Sequence, residues 1–281
     1  MISISEIITN GLTLSPFLII LLFSLIDFIP FFRSKLNKSH KIKDFQVIEP
    51  EEDFTILVPI YGQIKYLKNV DYLKSYASKV VLCTTIYESS EFYTQLEEVA
   101  KINNFKIYKS SIEHAVTQKG KPNPWRIFGL TLNTKKQIDS KELSDFREEI
   151  LKDTTFKSVS TKYVLFIDGD TYSTENLNLM VGAMKEKDYD IASVRVLVSN
   201  EENLITKLQA KEYLLAMDAR KVYPWLTSGA GIIAKTQLIK NVKMHHSFFF
   251  SGGDIEIKKI KKMLKLKVGH IPFNLFTEVP N

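Results

Sequence analysis

A single cysteine, Cys83, stands in a chain of 281 residues, so no internal disulfide can form. It falls in the apolar run Val80-Val81-Leu82-Cys83, where a small buried residue is the expected role. Zinc-ligand spacing is missing, as is any nucleic-acid-binding motif or any stretch interleaving basic with aromatic residues, and nucleic acid is set aside as a partner. There is no internal repeat and no low-complexity tract. No Lys or Arg precedes the first apolar stretch and no small-residue cleavage site follows it, a poor match to a secretory signal peptide. What is present is 44% hydrophobic residues, enough for one sizeable globular domain with an appendage. The net charge of +6 and a pI near 9.0 favour an anionic partner, either a phospholipid surface or a nucleotide-bearing substrate.

Residues 12–32 are a 21-residue stretch whose only charge is Asp27, long enough to cross a bilayer as a helix. Arg33, Lys35, Lys38, Lys41 and Lys43 follow it, and the positive-inside rule would keep that flank in the cytoplasm. The expectation is an N-terminal transmembrane helix and membrane anchor over 1–33 and a polar linker over 34–52. A globular domain over 53–281 would then face the cytoplasm. A buried or amphipathic helix is the other reading of the same residues.

Beyond the linker, apolar runs alternate with helical periodicity. Strands are expected over 54–60, 79–84, 105–109, 163–167 and 191–198, and helices over 65–76, 90–103, 174–187 and 204–218. Such alternation implies βαβ units, hence an α/β fold with a mostly parallel central sheet flanked by helices.

Asp168-Gly169-Asp170 directly follows the run Tyr163-Val164-Leu165-Phe166-Ile167, which reads as a buried parallel strand. Ligands bind at the carboxyl ends of such strands, and two carboxylates one residue apart can share a divalent cation that holds a diphosphate. They could equally cap a following helix, since carboxylates favour a helix N-terminus. A second copy, Asp188-Tyr189-Asp190, precedes its strand and reads as a solvated helix-to-strand turn.

Four features occur in order: Val58-Pro59-Ile60-Tyr61, Gly120-Lys121, Asp168-Gly169-Asp170, and Ser251-Gly252-Gly253-Asp254-Ile255-Glu256. On these the chain resembles the family-2 inverting glycosyltransferases of GT-A fold, over roughly residues 54–280. That group includes the membrane-associated cellulose, chitin and hyaluronan synthases and the polyprenyl-phosphate glycosyltransferases. The resemblance implies that Pro59 and Tyr61 lie beside the nucleotide base, where Tyr61 either stacks on the base or packs the turn. It implies that Lys121 meets the diphosphate, unless it is simply solvated. Asp168 would touch ribose or metal, Asp170 would bind Mg²⁺ or Mn²⁺, and His270 would be a third metal ligand or a structural histidine. The segment Trp225-Leu226-Thr227-Ser228-Gly229-Ala230-Gly231 resembles the family's small-residue stretch near sugar and acceptor, with Gly229 letting backbone approach the sugar ring.

The sharpest implication is a catalytic base. Asp254 matches the aspartate that deprotonates the acceptor hydroxyl, with Gly253 in place of the usual preceding acid and Glu256 as its understudy; an ordinary helix N-cap is the other role for Asp254. The implied activity is metal-dependent, inverting transfer of a hexose from a nucleoside-diphosphate sugar, with UDP as the first choice. The acceptor would be a hydroxyl on a lipid-linked molecule or a polysaccharide at the cytoplasmic membrane face. Two features depart from the family. Thr84-Thr85 stand where many members carry paired aspartates, with Glu88 and Glu91 further on, and the Gln-x-x-Arg-Trp motif of processive synthases does not follow Thr277-Glu278-Val279-Pro280. A sugar-phosphate nucleotidyltransferase and a catalytically silent nucleotide-sugar-binding module are the competing readings.

Overall fold

The computed structural model describes residues 28–29, 32–36, 45, 54–110, 159–224, 230–238 and 265–279. Lys121, Gly229, Gly253, Asp254 and Glu256 lie outside the described residues, as does most of the apolar stretch over 12–32.

The seven described strands form one sheet in the order β3-β2-β1-β4-β6-β5-β7. They are β1 (Phe54–Pro59), β2 (Val80–Thr85), β3 (Lys106–Ser110), β4 (Tyr163–Ile167), β5 (Ile191–Val198), β6 (Gly231–Lys235) and β7 (Val268–Thr277). β1 pairs in parallel with β2 and β4, β2 with β3, and β5 with β7. β6 is wedged antiparallel between β4 and β5. The mostly parallel α/β architecture is therefore as the alternation of patterns implied.

All five residues of β4 are buried, because the strand has packed material on both faces. Tyr163, Leu165 and Ile167 point into one apolar cluster with Ile56, Val58 and Leu82, and Val164 and Phe166 point into the opposite one with Leu57 and Val81. Leu165 is 1% exposed, so Leu165→Ala would cost about 2–5 kcal/mol through lost burial and the cavity left behind.

The helices between the strands include α1 (Val70–Leu73), α2 (Ser90–Asn103), α3 (Leu177–Glu186) and α4 (Leu204–Val222). α2 starts where Ser89 accepts from the Phe92 N–H and buries Phe92, Leu96 and Ala100 at helical spacing. α4 opens on a capping box between Asn203 and Thr206. The expected helix over 65–76 is instead a 3-10 turn (Ile64–Tyr66), the single turn α1 and a second 3-10 stretch (Lys74–Lys79). The cause is tertiary: the Lys68 and Asn69 N–H groups both donate to the Gly169 carbonyl, at 2.7 and 3.1 Å.

The expected membrane anchor is corrected. Among the described residues no helix is long and apolar enough to cross a membrane, so the transmembrane helix and the membrane-anchored, cytoplasm-facing placement are withdrawn. The linker also differs from a free tether, since Ser34 is buried and bonds Asp218, and Phe45 is buried in the main core cluster.

Candidate functional site at the carboxyl edge of the sheet

β1, β2 and β4 run in parallel and end on the same edge, where the register Leu57 to Phe166 sets the Pro59–Tyr61 turn beside the Asp168 turn. Adjacent strands are about 5 Å apart, so the two turns face a common space. The Asp168-Gly169-Asp170 turn is over-determined. The Asn69 side-chain amide donates to the main-chain carbonyls of Asp168 (3.0 Å) and Thr171 (2.5 Å), and the Thr171 N–H donates back to the Asp168 carbonyl at 3.0 Å. Gly169 is needed for proximity: a Cβ there would lie 3.0 Å from the Tyr66 carbonyl oxygen and 3.5 Å from the Leu67 Cα.

Both aspartates keep partial exposure. Asp170 Oδ1 accepts from the Thr171 hydroxyl (3.3 Å) and from the Thr277 hydroxyl (3.2 Å) at the end of β7. β7 reaches this turn because the spur after Asp170 pairs with it: Tyr172 and Phe276 exchange N–H to carbonyl bonds, and their rings stack with centroids 5.7 Å apart. Beyond Thr277, Asn200 grips both the N–H and the carbonyl of Val279. Lys68 forms an exposed ion pair with Glu278, and that hydrogen bond raises its pKa, helped by the nearby charges of Glu278 and Asp170. Tyr213 on α4 also titrates above its ordinary value, mainly through burial and then through the charges of Asp170 and Asp168.

The helix-capping reading of the two acids does not hold. α3 begins at Leu177, and its N-cap is Asn176, whose side chain accepts from the Asn178 N–H. The second acidic copy sits elsewhere. Lys235 bonds Asp188 and Asp190 at 2.9 Å each, and Asp190 also accepts from the Lys267 N–H. Burial alone would lower the Lys235 pKa, but its two carboxylate bonds outweigh that and raise it, while Asp188 is held below the usual carboxylate range by Lys235. That copy is a structural clamp where α3 turns into β5.

Tyr61 packs against the cluster containing Leu57, Val81 and Cys83. Pro59 closes β1 opposite Cys83. Behind the turn, Glu88 accepts from the Gly62 N–H (2.9 Å) and from the Thr85 hydroxyl (2.5 Å), tying the ends of β1 and β2 together. Thr84 and Thr85 themselves are fully buried.

His270 is not gathered with the aspartates, and its assignment as a metal ligand is corrected. It stands at the start of β7, where Ser193 lies 2.9 Å from its Nδ1, and Asp170 is met by Thr277 seven residues further on. At about 3.3 Å per residue that run is on the order of 20 Å. Burial, then the charges of Arg195, Lys221 and Arg220, push its pKa down to about 3. Among the described residues no group of three His, Cys, Asp or Glu side chains is placed to hold a metal. Asp168 and Asp170 each keep a partly exposed side chain at this turn.

Lys68, Asn69, Thr277 and Glu278 take part in this site without having been assigned to it from sequence. Lys68 and Asn69 follow the first strand's turn, but their polarity is no different from that of any surface loop. Thr277 and Glu278 belong to no pattern that marks them as site residues.

Among solved structures the chain is similar to the mannosyltransferase PcManGT from Pyrobaculum calidifontis in complex with GDP-Man and Mn²⁺. The identity is 14% and the TM-score 0.56, over 98% of this chain and 69% of that one. TarS from S. aureus is 15% identical with a TM-score of 0.48, over 81% of this chain and 37% of that one. Glucosyl-3-phosphoglycerate synthase from Mycobacterium tuberculosis, in complex with Mn²⁺, UDP and phosphoglyceric acid, is 11% identical with a TM-score of 0.45, over 87% and 77%. These lower TM-scores add nothing to the fold assignment. No family model matches the chain, and no curated protein does. At 14% identity the likeness to PcManGT is one of fold, and the GT-A fold expected from the sequence is borne out.

Proposed function

We propose that this protein is a glycosyltransferase that moves a hexose from a nucleoside-diphosphate sugar to an acceptor hydroxyl with inversion at the anomeric carbon. The observation that carries the reading is the acidic turn: two partly exposed carboxylates on a main chain pinned at the carboxyl edge, on a fold shared with a mannosyltransferase in complex with GDP-Man and Mn²⁺.

The donor set fits the metal. Paired carboxylates are hard oxygen ligands suited to Mg²⁺ or Mn²⁺, which commonly bind through one or two carboxylates and complete their shell with phosphate oxygens and water. Asp168 and Asp170 would hold the ion, which when bound offsets negative charge on a departing diphosphate. Asn69 and Gly169 fix the main chain of the turn and Thr277 bonds the Asp170 carboxylate, which limits reorganisation at the moment of transfer. Lys121 serves the same diphosphate, Pro59 and Tyr61 wall the base, and Gly229 and Gly253 leave room for the sugar.

Asp254 is the base in this proposal, with Glu256 beside it. The acceptor oxygen forms a bond to the anomeric carbon as the bond from that carbon to the diphosphate oxygen breaks. The hydroxyl proton passes to Asp254, and the bonding electrons leave with the diphosphate. An aspartate with an ordinary pKa near 3.9 is a weak base for an alcohol, so it acts by proximity and by proton transfer concurrent with attack. The acceptor is a glycan or a lipid-linked hydroxyl.

The test is a panel of UDP- and GDP-sugars assayed with Mn²⁺ for binding and for hydrolysis or transfer. At least one donor is expected to bind and turn over only with the metal, and Asp254→Asn is expected to bind it while losing roughly 10²-fold or more of turnover. No metal-dependent binding of any donor would overturn the reading.

A further inference from the structure

One cation lies at the rim of the acidic turn with no part in the mechanism above. The Lys68 N–H bonds the carbonyl of Gly169, the residue between the two aspartates, so the Lys68 backbone is pinned onto the turn itself. Its ammonium reaches Glu278, with the two side chains 51% and 46% exposed, and the charge of Asp170 is close enough to act on it. Glu278 is fixed from both sides: Thr277 bonds Asp170, and Val279 is held twice by Asn200.

The pairing has an electrostatic logic. Glu278 and Asp170 place two carboxylates near one ammonium, and a nucleoside diphosphate brings further negative charge to the same edge. An exposed ion pair is weak, because water screens it and two long side chains are immobilised. A diphosphate is multiply charged, and an ammonium held at its side makes charge-assisted bonds to it. The exchange of one partner for the other is thus downhill once the donor arrives.

We infer that Lys68 is a second diphosphate-binding residue, held over the acidic turn by Glu278 until the donor's phosphates displace that carboxylate. The inference rests on the glycosyltransferase reading. Lys68 turns from Glu278 to the donor's distal phosphate, while Glu278 returns to solvent. No covalent change accompanies the exchange.

The experiment is equilibrium binding of UDP, GDP, UMP and GMP to the full chain with Mn²⁺, comparing the unmodified protein with Lys68→Gln and Glu278→Gln. Lys68→Gln should weaken the diphosphates by roughly ten- to a hundredfold, the range for one charge-assisted hydrogen bond, and leave the monophosphates within about threefold. Glu278→Gln should bind the diphosphates as well as the unmodified protein or better. Thermal melts should place both variants close to the unmodified chain, since the pair is exposed. Unchanged diphosphate affinity in Lys68→Gln would overturn the inference. So would equal losses for mono- and diphosphates, or a Glu278→Gln loss matching that of Lys68→Gln. If the unmodified protein binds none of the four nucleotides with Mn²⁺, the glycosyltransferase reading fails first and takes the inference with it.

Discussion

Asn69 holds Asp168 from behind: its side-chain amide donates 3.0 Å to the Asp168 main-chain carbonyl and shares a second bond with the Thr171 carbonyl. One side chain from the loop after β1 thus shapes the turn after β4, and the acid's orientation depends on a residue that carries no charge.

Asn69→Ala removes both bonds at a position that is 5% exposed, takes a donor from the Thr171 carbonyl, and leaves the Asp168 carbonyl with the Thr171 N–H. A loss of about 1–3 kcal/mol in urea unfolding is expected. Metal-dependent donor affinity should fall with it in isothermal titration. A stable variant with full affinity would show that the turn holds its shape without Asn69.

The two acidic copies should respond in opposite ways. Asp170→Asn keeps an oxygen for the Thr277 hydroxyl but removes a ligand charge, so donor binding with Mn²⁺ should drop more than about tenfold with little change in melting. Asp190→Ala breaks the bonds to Lys235 and to the Lys267 N–H, costing about 1–3 kcal/mol of stability while leaving donor affinity intact. Melting curves and titrations on the pair of variants decide it.

Gly169→Ala tests the close approach of the acidic turn to the 66–67 backbone. The added methyl meets backbone, which has little room to give, so the turn should shift at a cost of about 1–3 kcal/mol. The donor titration should weaken by more than that stability loss alone explains, because the two carboxylates move with the turn.

His270 should leave a mark on acid stability. Its folded pKa is about 3 against an ordinary 6.5, so between those values the unfolded chain binds a proton that the folded chain does not. The associated stability is complete above about pH 6.5 and is lost as pH falls toward 3, about 2 kcal/mol of it between pH 7.5 and 5. His270→Gln should flatten that part of the curve in urea melts run at both pH values. Parallel curves for the two proteins would mean that His270 is protonated at its ordinary pH.

Much of this fold could be read from the chain because its inner strands are short apolar runs bounded by turn residues. β4, β5 and α2 have the bounds expected of them. The failures have physical causes. The stretch over 65–76 has helical periodicity, but Gly169 takes its N–H groups and breaks it into single turns. β6 runs against its neighbours, and strand direction is a property of the sheet that no local pattern carries. β7 was unrecognised because Gly269, His270, Pro272 and Asn274 interrupt its apolar run. Pro272 is tolerated since β7 is an edge strand among the described strands, and its ladder with β5 shifts register between Val194 and Arg195. In the site, the acidic pair announced itself by its position after β4. The residues that steady it did not, because Asn69 and Thr277 act through bonds to partners about a hundred positions away.

The bond from Thr277 to Asp170 spans 107 positions. During synthesis the acidic turn therefore emerges about a hundred residues ahead of the hydroxyl that braces it. Loop closure over so long a span is slow, and the nascent protein carries an exposed β5 edge until β7 arrives. Competence to grip a cation should appear only once β7 has paired with β5.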